Sequence, residues 1–358
     1  MMNPHARIAV IGTGWWATYA HIPAILENPD AEISAICDPH PERLEKTAKA
    51  FNVIHTYTDH REMLEKERQL DGVIIATPHA THYAIARDCL ESNLHVLIEK
   101  PMTLYAAEAA ELVSLAKERN KEILIGYPNP HSPAIKRARE VFASGELGRM
   151  QFLTSIYCSD VFEFLNGRVS QEHSPTPNYT VNSPSEAYNN PELLGGGEGH
   201  LQLTHSISTA LFVTSQRARK VHALMKNFGL AVDLVDVMMV EFESDAIGNM
   251  GGSGNAGKSY EFNLTVYCEY GNIILSTSSQ KGWIRKHDGS EENLMALMEK
   301  QPIRRFAVTH NFINVILRRE ENGSPGELGW RTVEILDAAY RSASRNGEGV
   351  YIADLYKP

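Results

Sequence analysis

Lys100 stands in the triplet Glu99-Lys100-Pro101, directly after the apolar run Leu94 to Ile98. That run predicts a buried strand, and open parallel sheets bind ligands in the crevice beyond the carboxyl ends of their strands. In a partly dry cleft, the ammonium of such a lysine hydrogen-bonds a substrate hydroxyl and favours its deprotonation. Nearer the N-terminus, Gly12-Thr13-Gly14-Trp15-Trp16-Ala17 falls between a predicted strand and a predicted helix. A turn of this kind lets the backbone approach a pyrophosphate, and the helix start offers unpaired N–H groups and a positive dipole end. Asp38 lies about 20 residues beyond it, where a carboxylate accepts hydrogen bonds from the adenosine ribose. The same carboxylate repels a 2′-phosphate, so NAD is expected over NADP, with Arg43 as the neighbouring cation that moderates the preference. Another strand end, Ala76-Thr77-Pro78-His79, is broken by Pro78 and turned toward the nicotinamide side, with His82 just beyond it facing the cleft. The candidate cofactor residues are thus Gly12, Thr13, Gly14, Trp15, Trp16, Asp38, Thr77, Pro78, His79, His82, Glu99 and Lys100.

Holding these residues together requires alternating strands and helices, and the first third of the chain supplies them. Strands are expected at Arg7 to Ile11, Ile33 to Cys37, Gly72 to Ile75, Leu94 to Ile98 and Glu122 to Ile125. Helices at Ala17 to Glu27, Pro41 to Phe51, Ala80 to Glu91 and Tyr105 to Asn120 fill the gaps as right-handed crossovers. The passage Tyr127-Pro128-Asn129-Pro130-His131-Ser132-Pro133 cannot continue a regular element, which divides the chain into domains at 1–126 and 127–358. Beyond it a helix at Ala134 to Ala143 and a strand at Met150 to Cys158 precede the long polar segment Ser159 to Leu194, expected to cover the substrate. Strands at Leu234 to Phe242, Glu261 to Tyr270 and Asn272 to Thr277 predict an antiparallel or mixed sheet. Helices at Arg305 to Glu320 and Gly326 to Ser344 close the domain. The fold class is α/β.

Two domains also suit 358 residues, of which 43% are apolar and 22% charged. A net charge of -10, with no dense Lys/Arg block, argues against nucleic acid or an anionic membrane as partner. Cys37, Cys89, Cys158 and Cys268 are too widely spaced for a CxxC or zinc knuckle, and the first strand begins too early to leave room for a signal peptide. A cytoplasmic protein with reduced thiols is expected.

The chain resembles the Gfo/Idh/MocA family of sugar and cyclitol dehydrogenases over almost its whole length. The resemblance rests on the GTGWWA turn, the segment Asp71 to Pro101, the Gly145-Glu146-Leu147-Gly148 turn and the Gly195-Gly196-Gly197 run before a helix. It implies a nicotinamide cofactor bound by an N-terminal Rossmann domain with a parallel sheet. It also implies a C-terminal α/β domain on an open mixed, largely antiparallel sheet, through which a homodimer or homotetramer forms. Lys100 would lie near both the nicotinamide ribose and a small sugar or cyclitol substrate.

Members with the usual dehydrogenase site carry an Asp four residues and a His eight residues after the triple glycine. Here those positions hold Leu201 and His205, in a GGGxGxxQxxH pattern that resembles a divergent branch. Leucine cannot orient an imidazole, so the Asp-His partnership is absent. On a helix Gln202 and His205 share a face, while His200 lies roughly 140° from His205 and enters from the helix start. His205 is therefore expected to accept the hydroxyl proton, Lys100 to hold the same oxygen, and Gln202, His200 and Tyr127 to contact substrate. Glu198, His200 and His205 match no common zinc spacing, and no metal is expected. The reaction expected is hydride transfer between a secondary alcohol and NAD. Two alternatives are an NAD-dependent glycosidase that oxidises transiently and eliminates, and a cofactor-sensing protein without turnover.

Overall fold

The computed structural model describes residues 5–168, 181–182, 186–276, 281–294, 296–297 and 306–357. The first sheet is built from short strands buried on both faces, the pattern that parallel sheets covered by helices require. Its strands are β1 (Ala6–Ile11), β2 (Ala31–Cys37), β3 (Thr56–Tyr57), β4 (Gly72–Ile75), β5 (His95–Ile98) and β6 (Ile123–Ile125). They run parallel in the order β3-β2-β1-β4-β5-β6. The order reverses between β1 and β4, and there the crossovers leave to opposite sides and open a crevice at the carboxyl ends. The glycine turn follows β1, the Thr77 turn follows β4, and Lys100 follows β5, so all three reach that one edge.

The second sheet contains β7 (Met150–Cys158), β8 (Ala218–Lys226), β9 (Val235–Phe242), β10 (Ile247–Ser253), β11 (Glu261–Cys268), β12 (Gly271–Ser276), β13 (Lys281–Lys286), β14 (Glu291–Asn293) and β15 (Val350–Tyr351). Its order is β14-β13-β12-β11-β7-β10-β9-β8-β15, with β7 and β10 parallel and the other pairs antiparallel. The α/β class with one parallel and one mixed, mostly antiparallel sheet is therefore as expected. Leu153, Val221, Val240, Met250, Leu264 and Val266 are buried on its inner face, which packs with the helices Thr204–Thr214 and Gly326–Ser344. The outer face leaves Phe152, Leu224, Val237, Met239, Ile247 and Tyr267 exposed.

Two local features depart from the expected elements. The helix after the glycine turn is split into a π-helical turn, Ala17–His21, and an α-helix, Ile22–Leu26, because Pro23 has no N–H for the regular ladder. The helix Ala307–Ile316 lies beyond the expected domain boundary, yet Phe312 and Ile313 pack with Ile8 and Ile74 of the first sheet. The two halves are further tied at β6, where Ser324 Oγ donates to the Ile125 carbonyl at 2.7 Å and the Ile125 amide donates to the Ser324 carbonyl at 2.9 Å.

Candidate active site

The glycine turn is shaped by close packing on one side and open space on the other. Gly12 has φ +89°, and a side chain there would strike the Ala76 carbonyl, whereas a Cβ at Gly14 would meet nothing within 4 Å. Thr13 donates to Asp38 Oδ2 through its amide at 2.9 Å and its hydroxyl at 3.0 Å. Arg43 closes a bidentate pair on the same carboxylate, Nε to Oδ2 at 2.9 Å and Nη2 to Oδ1 at 2.8 Å. Burial pushes the Asp38 carboxyl up, but the hydrogen bonds from Arg43, Thr13 and His40 outweigh it and hold the group below the usual range. Open space at Gly14 before a helix start fits the pyrophosphate of a dinucleotide, and an ionised Asp38 with Arg43 fits a ribose-recognition corner.

A cleft of about 540 Å³ opens where the turns after β1, β4, β5 and β6 face the second half of the chain. Trp15, Trp16, Thr77, His79, Glu99, Lys100, Gln202 and His205 line it, together with Tyr19, Asn129, Tyr157, Phe164, Tyr188, Leu201 and Tyr260. The Lys100 Nζ donates to the Leu201 carbonyl at 2.7 Å. Burial brings Lys100 down to about 8, against the opposing charges of Glu99 and Glu198. Burial and then the Lys100 charge push His205 down to about 3, so its imidazole is neutral at physiological pH. The Tyr157 ring stacks on it, with centroids 6.2 Å apart and planes at 22°.

Glu99 is engaged on the other side of the strand end. Its Oε1 accepts from the Trp16 indole at 2.8 Å and hydrogen-bonds His21 Nε2 at 2.9 Å, while His21 Nδ1 meets Thr309 Oγ1 at 2.8 Å. Against the upward push of burial, His21 keeps the Glu99 carboxyl low. Glu99 thus fixes the turn that carries Lys100.

Three expected contacts are corrected. His82 is buried and does not line the cleft; its Nδ1 meets the Pro101 carbonyl at 2.8 Å and its Nε2 the Thr77 carbonyl at 2.9 Å, so it braces two strand ends. Tyr127 is fully buried, with its hydroxyl bonded to Thr204 Oγ1 at 2.7 Å, and supports the residue beside His205 instead of touching substrate. His200 points away from the cleft onto Tyr340, with centroids 4.4 Å apart, and burial lowers it to about 4. The cause is the glycine run: Gly197 passes so close to the Asp233 carbonyl, and Gly196 so close to the Tyr340 hydroxyl, that the turn carrying His200 is pressed against Tyr340.

The turn Gly199–Leu203 is π-helical, so regular α-helical angles do not apply to it, yet Gln202 and His205 still reach the same cleft. Of the segment Ser159 to Leu194, residues 169–180 and 183–185 lie outside the described residues. Of its described parts, Val161, Phe164 and Tyr188 line the cleft, while Asn182 sits on the glycine turn, its Nδ2 donating to the Thr13 carbonyl at 2.7 Å and to Thr47 Oγ1 at 2.9 Å, and the Trp15 indole donates to the Tyr188 hydroxyl at 2.8 Å. Tyr157, Tyr260, His21 and Thr309 were missed from sequence. Strand alternation in β7 could have turned Tyr157 inward with Leu153 and Ser155, but nothing in the sequence links His21 to Thr309.

A dinucleotide turn, a lysine-bearing strand end and a cleft histidine meeting on a Rossmann sheet define an NAD-binding oxidoreductase. The chain belongs to the Gfo/Idh/MocA family: residues 6–127 match the oxidoreductase family with NAD-binding Rossmann fold, and residues 135–274 match the GFO/IDH/MocA C-terminal domain. It is 30% identical over 151 residues to an uncharacterized oxidoreductase of Synechocystis sp., covering 42% of this chain and 40% of that protein. It is 26% identical over 166 residues to the D-xylose 1-dehydrogenase [NADP(+)] of Haloarcula marismortui, covering 46% of each. These alignments span under half the length of either relative. The fold is shared with levoglucosan dehydrogenase solved with NADH and levoglucosan, at TM-score 0.78 and 19% identity over 97% of this chain and 99% of that one.

Proposed function

We propose that the protein is an NAD-dependent dehydrogenase of a secondary alcohol on a sugar, sugar derivative or cyclitol. The observation that carries this reading is the convergence of Lys100, Gln202 and His205 on one aromatic-walled cleft beside the glycine turn. When bound, the nicotinamide supplies the hydride acceptor. Lys100, as ammonium, donates to the reacting oxygen and stabilises the charge that develops there. The neutral His205 imidazole takes the hydroxyl proton, and Gln202 holds a neighbouring hydroxyl. Tyr157, Phe164 and the tryptophans offer apolar faces to ring C–H groups and exclude water. A thermal-shift screen of sugars and cyclitols with NAD present tests the reading: a ligand that binds the native state raises the melting temperature, and no hit among neutral polyols speaks against it.

NAD is proposed over NADP. The relative named for NADP(+) makes the corner around Asp38 the place to test, because Arg43 stands ready to meet a 2′-phosphate once its carboxylate partner is gone. Asp38→Ala is expected to weaken NAD by about tenfold or more and to tighten NADP, inverting the preference. Titrating both dinucleotides into each protein by intrinsic fluorescence checks this. An unchanged ratio would remove Asp38 from cofactor choice.

The outer face of the second sheet supports a homodimer or homotetramer. Leu224, Val237, Met239 and Ile247 form an exposed apolar patch across β8, β9 and β10, and Phe152 stacks on Tyr267 at 5.8 Å beside it. Met239→Glu places an unpaired charge in that patch and is expected to convert the assembly to monomers in sedimentation velocity. A wild-type protein that sediments as a monomer at micromolar concentration would contradict the proposal. Among the described residues no helix is long and apolar enough to cross a membrane.

A further inference from the structure

The polar groups that face the cleft are matched to hydroxyls and not to anions. Among the described residues that line it, the charged side chains are Lys100 and Glu99, and both are engaged. Glu99 serves Trp16 and His21, while the Lys100 Nζ donates to the Leu201 carbonyl at 2.7 Å and is the cation proposed for the reacting oxygen. Proteins hold phosphate and carboxylate groups with guanidinium forks, ammonium groups or helix N-termini. Among the described residues no arginine lines this cleft.

The groups left to meet a substrate are neutral. Asn129 lines the cleft from the turn after β6; its Nδ2 donates to Thr209 Oγ1 at 2.9 Å, and Thr209 Oγ1 donates to the His205 carbonyl at 2.7 Å. That chain fixes Asn129 against the helix of His205, and its Oδ1 has no partner among the described residues. The side-chain amide of Gln202 has none there either. An amide donates and accepts at once, which suits hydroxyls on adjacent ring carbons. His79 adds an acceptor: its Nδ1 lies 3.0 Å from the Leu194 carbonyl, which only accepts, so Nδ1 carries the proton and Nε2 is left as an acceptor on a ring that burial keeps neutral. The segment Ser159 to Leu194, whose Val161, Phe164 and Tyr188 line the cleft, carries Asp160, Glu163, Glu172, Glu186 and Glu192. Its one Lys or Arg is Arg168, which is exposed, so the charge of the segment opposes an approaching anion.

We infer that the substrate is an uncharged polyhydroxylated ring, gripped by Asn129 and Gln202 at hydroxyls beside the reacting one, and that phosphorylated, nucleotide-linked and carboxylated sugars are rejected. The inference rests on the proposed dehydrogenase reading and narrows its substrate. An anionic group brought to Asn129, Gln202 or His79 would give up its water for two amides and an imidazole lone pair, with no cation beside them to compensate. Turned to Lys100 instead, it would displace the reacting hydroxyl from the ammonium that the reaction uses. Asn129 is thus a specificity-determining residue.

The test compares matched ligands on the NAD-loaded full chain. Pentoses, hexoses, methyl glycosides and cyclitols are each set beside a phosphate ester, a carboxylate or a UDP-linked form of the same ring, and binding is read by thermal shift and then by isothermal titration. The best neutral ring should bind at least about tenfold more tightly than its anionic counterparts, since their charge finds no partner. Asn129→Leu keeps most of the side-chain volume and removes the amide. For that ring it should raise KM about tenfold and leave kcat within about threefold, because Lys100 still holds the reacting hydroxyl. Asn129→Lys is the second variant; it places a cation at the same point and should improve the anionic counterparts about tenfold relative to the neutral ring. An anionic ligand that binds the wild-type chain as tightly as its neutral counterpart, a panel in which no neutral ring binds, or an unchanged KM in folded Asn129→Leu overturns the inference. The dehydrogenase reading fails separately: a neutral ring then binds with the expected preference and forms no NADH, whereas an anionic sugar that is oxidised leaves that reading standing and overturns this one.

Discussion

Lys100→Met is expected to lower turnover by about 10²- to 10⁴-fold, the scale for losing a positioned acid-base or charge-stabilising group, while the chain stays folded. Methionine keeps most of the stem that lines the cleft and removes the ammonium. The fold loses one hydrogen bond, to the Leu201 carbonyl, and is relieved of a buried cation without a closed ion pair. Steady-state kinetics beside a thermal melt separate the two effects. A folded variant that turns over at near the parent rate would take Lys100 out of the chemistry.

His205→Ala should cost a comparable factor, and its pH dependence distinguishes the role of His205 from that of Lys100. Burial and the lysine charge hold the imidazole near 3, so it is already free of its proton across the working range and gives no inflection near 6.5. Lys100 is lowered to about 8, so it is charged below that pH and loses the charge above it. For alcohol oxidation, kcat/KM should therefore be level from about pH 5 to 7 and fall through about 8, toward tenfold per pH unit. A rate that rises through 8 would make neutral Lys100 the proton acceptor. Restoring the family carboxylate with Leu201→Asp should bring no large gain, because Leu201 is anchored in an apolar cluster with Val161, Phe164, Leu165, Leu194, Val232 and Leu234.

The parts of this fold that sequence foretold are those where local pattern and burial agree. β4 and β7 have the expected bounds, as do the helices Pro41–Phe51 and Gly326–Ser344, whose alternation or period is strong. β8 was not foreseen because ARKVHALMK is rich in helix formers and becomes a strand only by pairing with β9 and β15. β10 was missed because its Gly248, Gly251 and Gly252 weaken any strand signal; Gly252 is needed there because a side chain would strike the Tyr157 carbonyl of β7. In the site, Lys100, Gln202 and His205 were legible from motif and spacing. The burial of His82, Tyr127 and His200 was not, since it depends on contacts with Pro101, Thr204 and Tyr340 that lie far away in sequence or follow from packing alone.

We propose that this cleft passes a hydride from a polyol carbon to NAD and a proton to its own side chains. Mixing the NAD-loaded protein with the sugar or cyclitol that most raises its melting temperature, and following absorbance at the NADH band, tests it most directly. Wild-type protein should accumulate NADH in proportion to substrate consumed, and Lys100→Met and His205→Ala should form it at least about a hundredfold more slowly. Stabilisation without net NADH, with release of an aglycone from a glycoside, would contradict the account and point to transient oxidation and elimination. NADH formation at the parent rate in both variants would place the chemistry elsewhere.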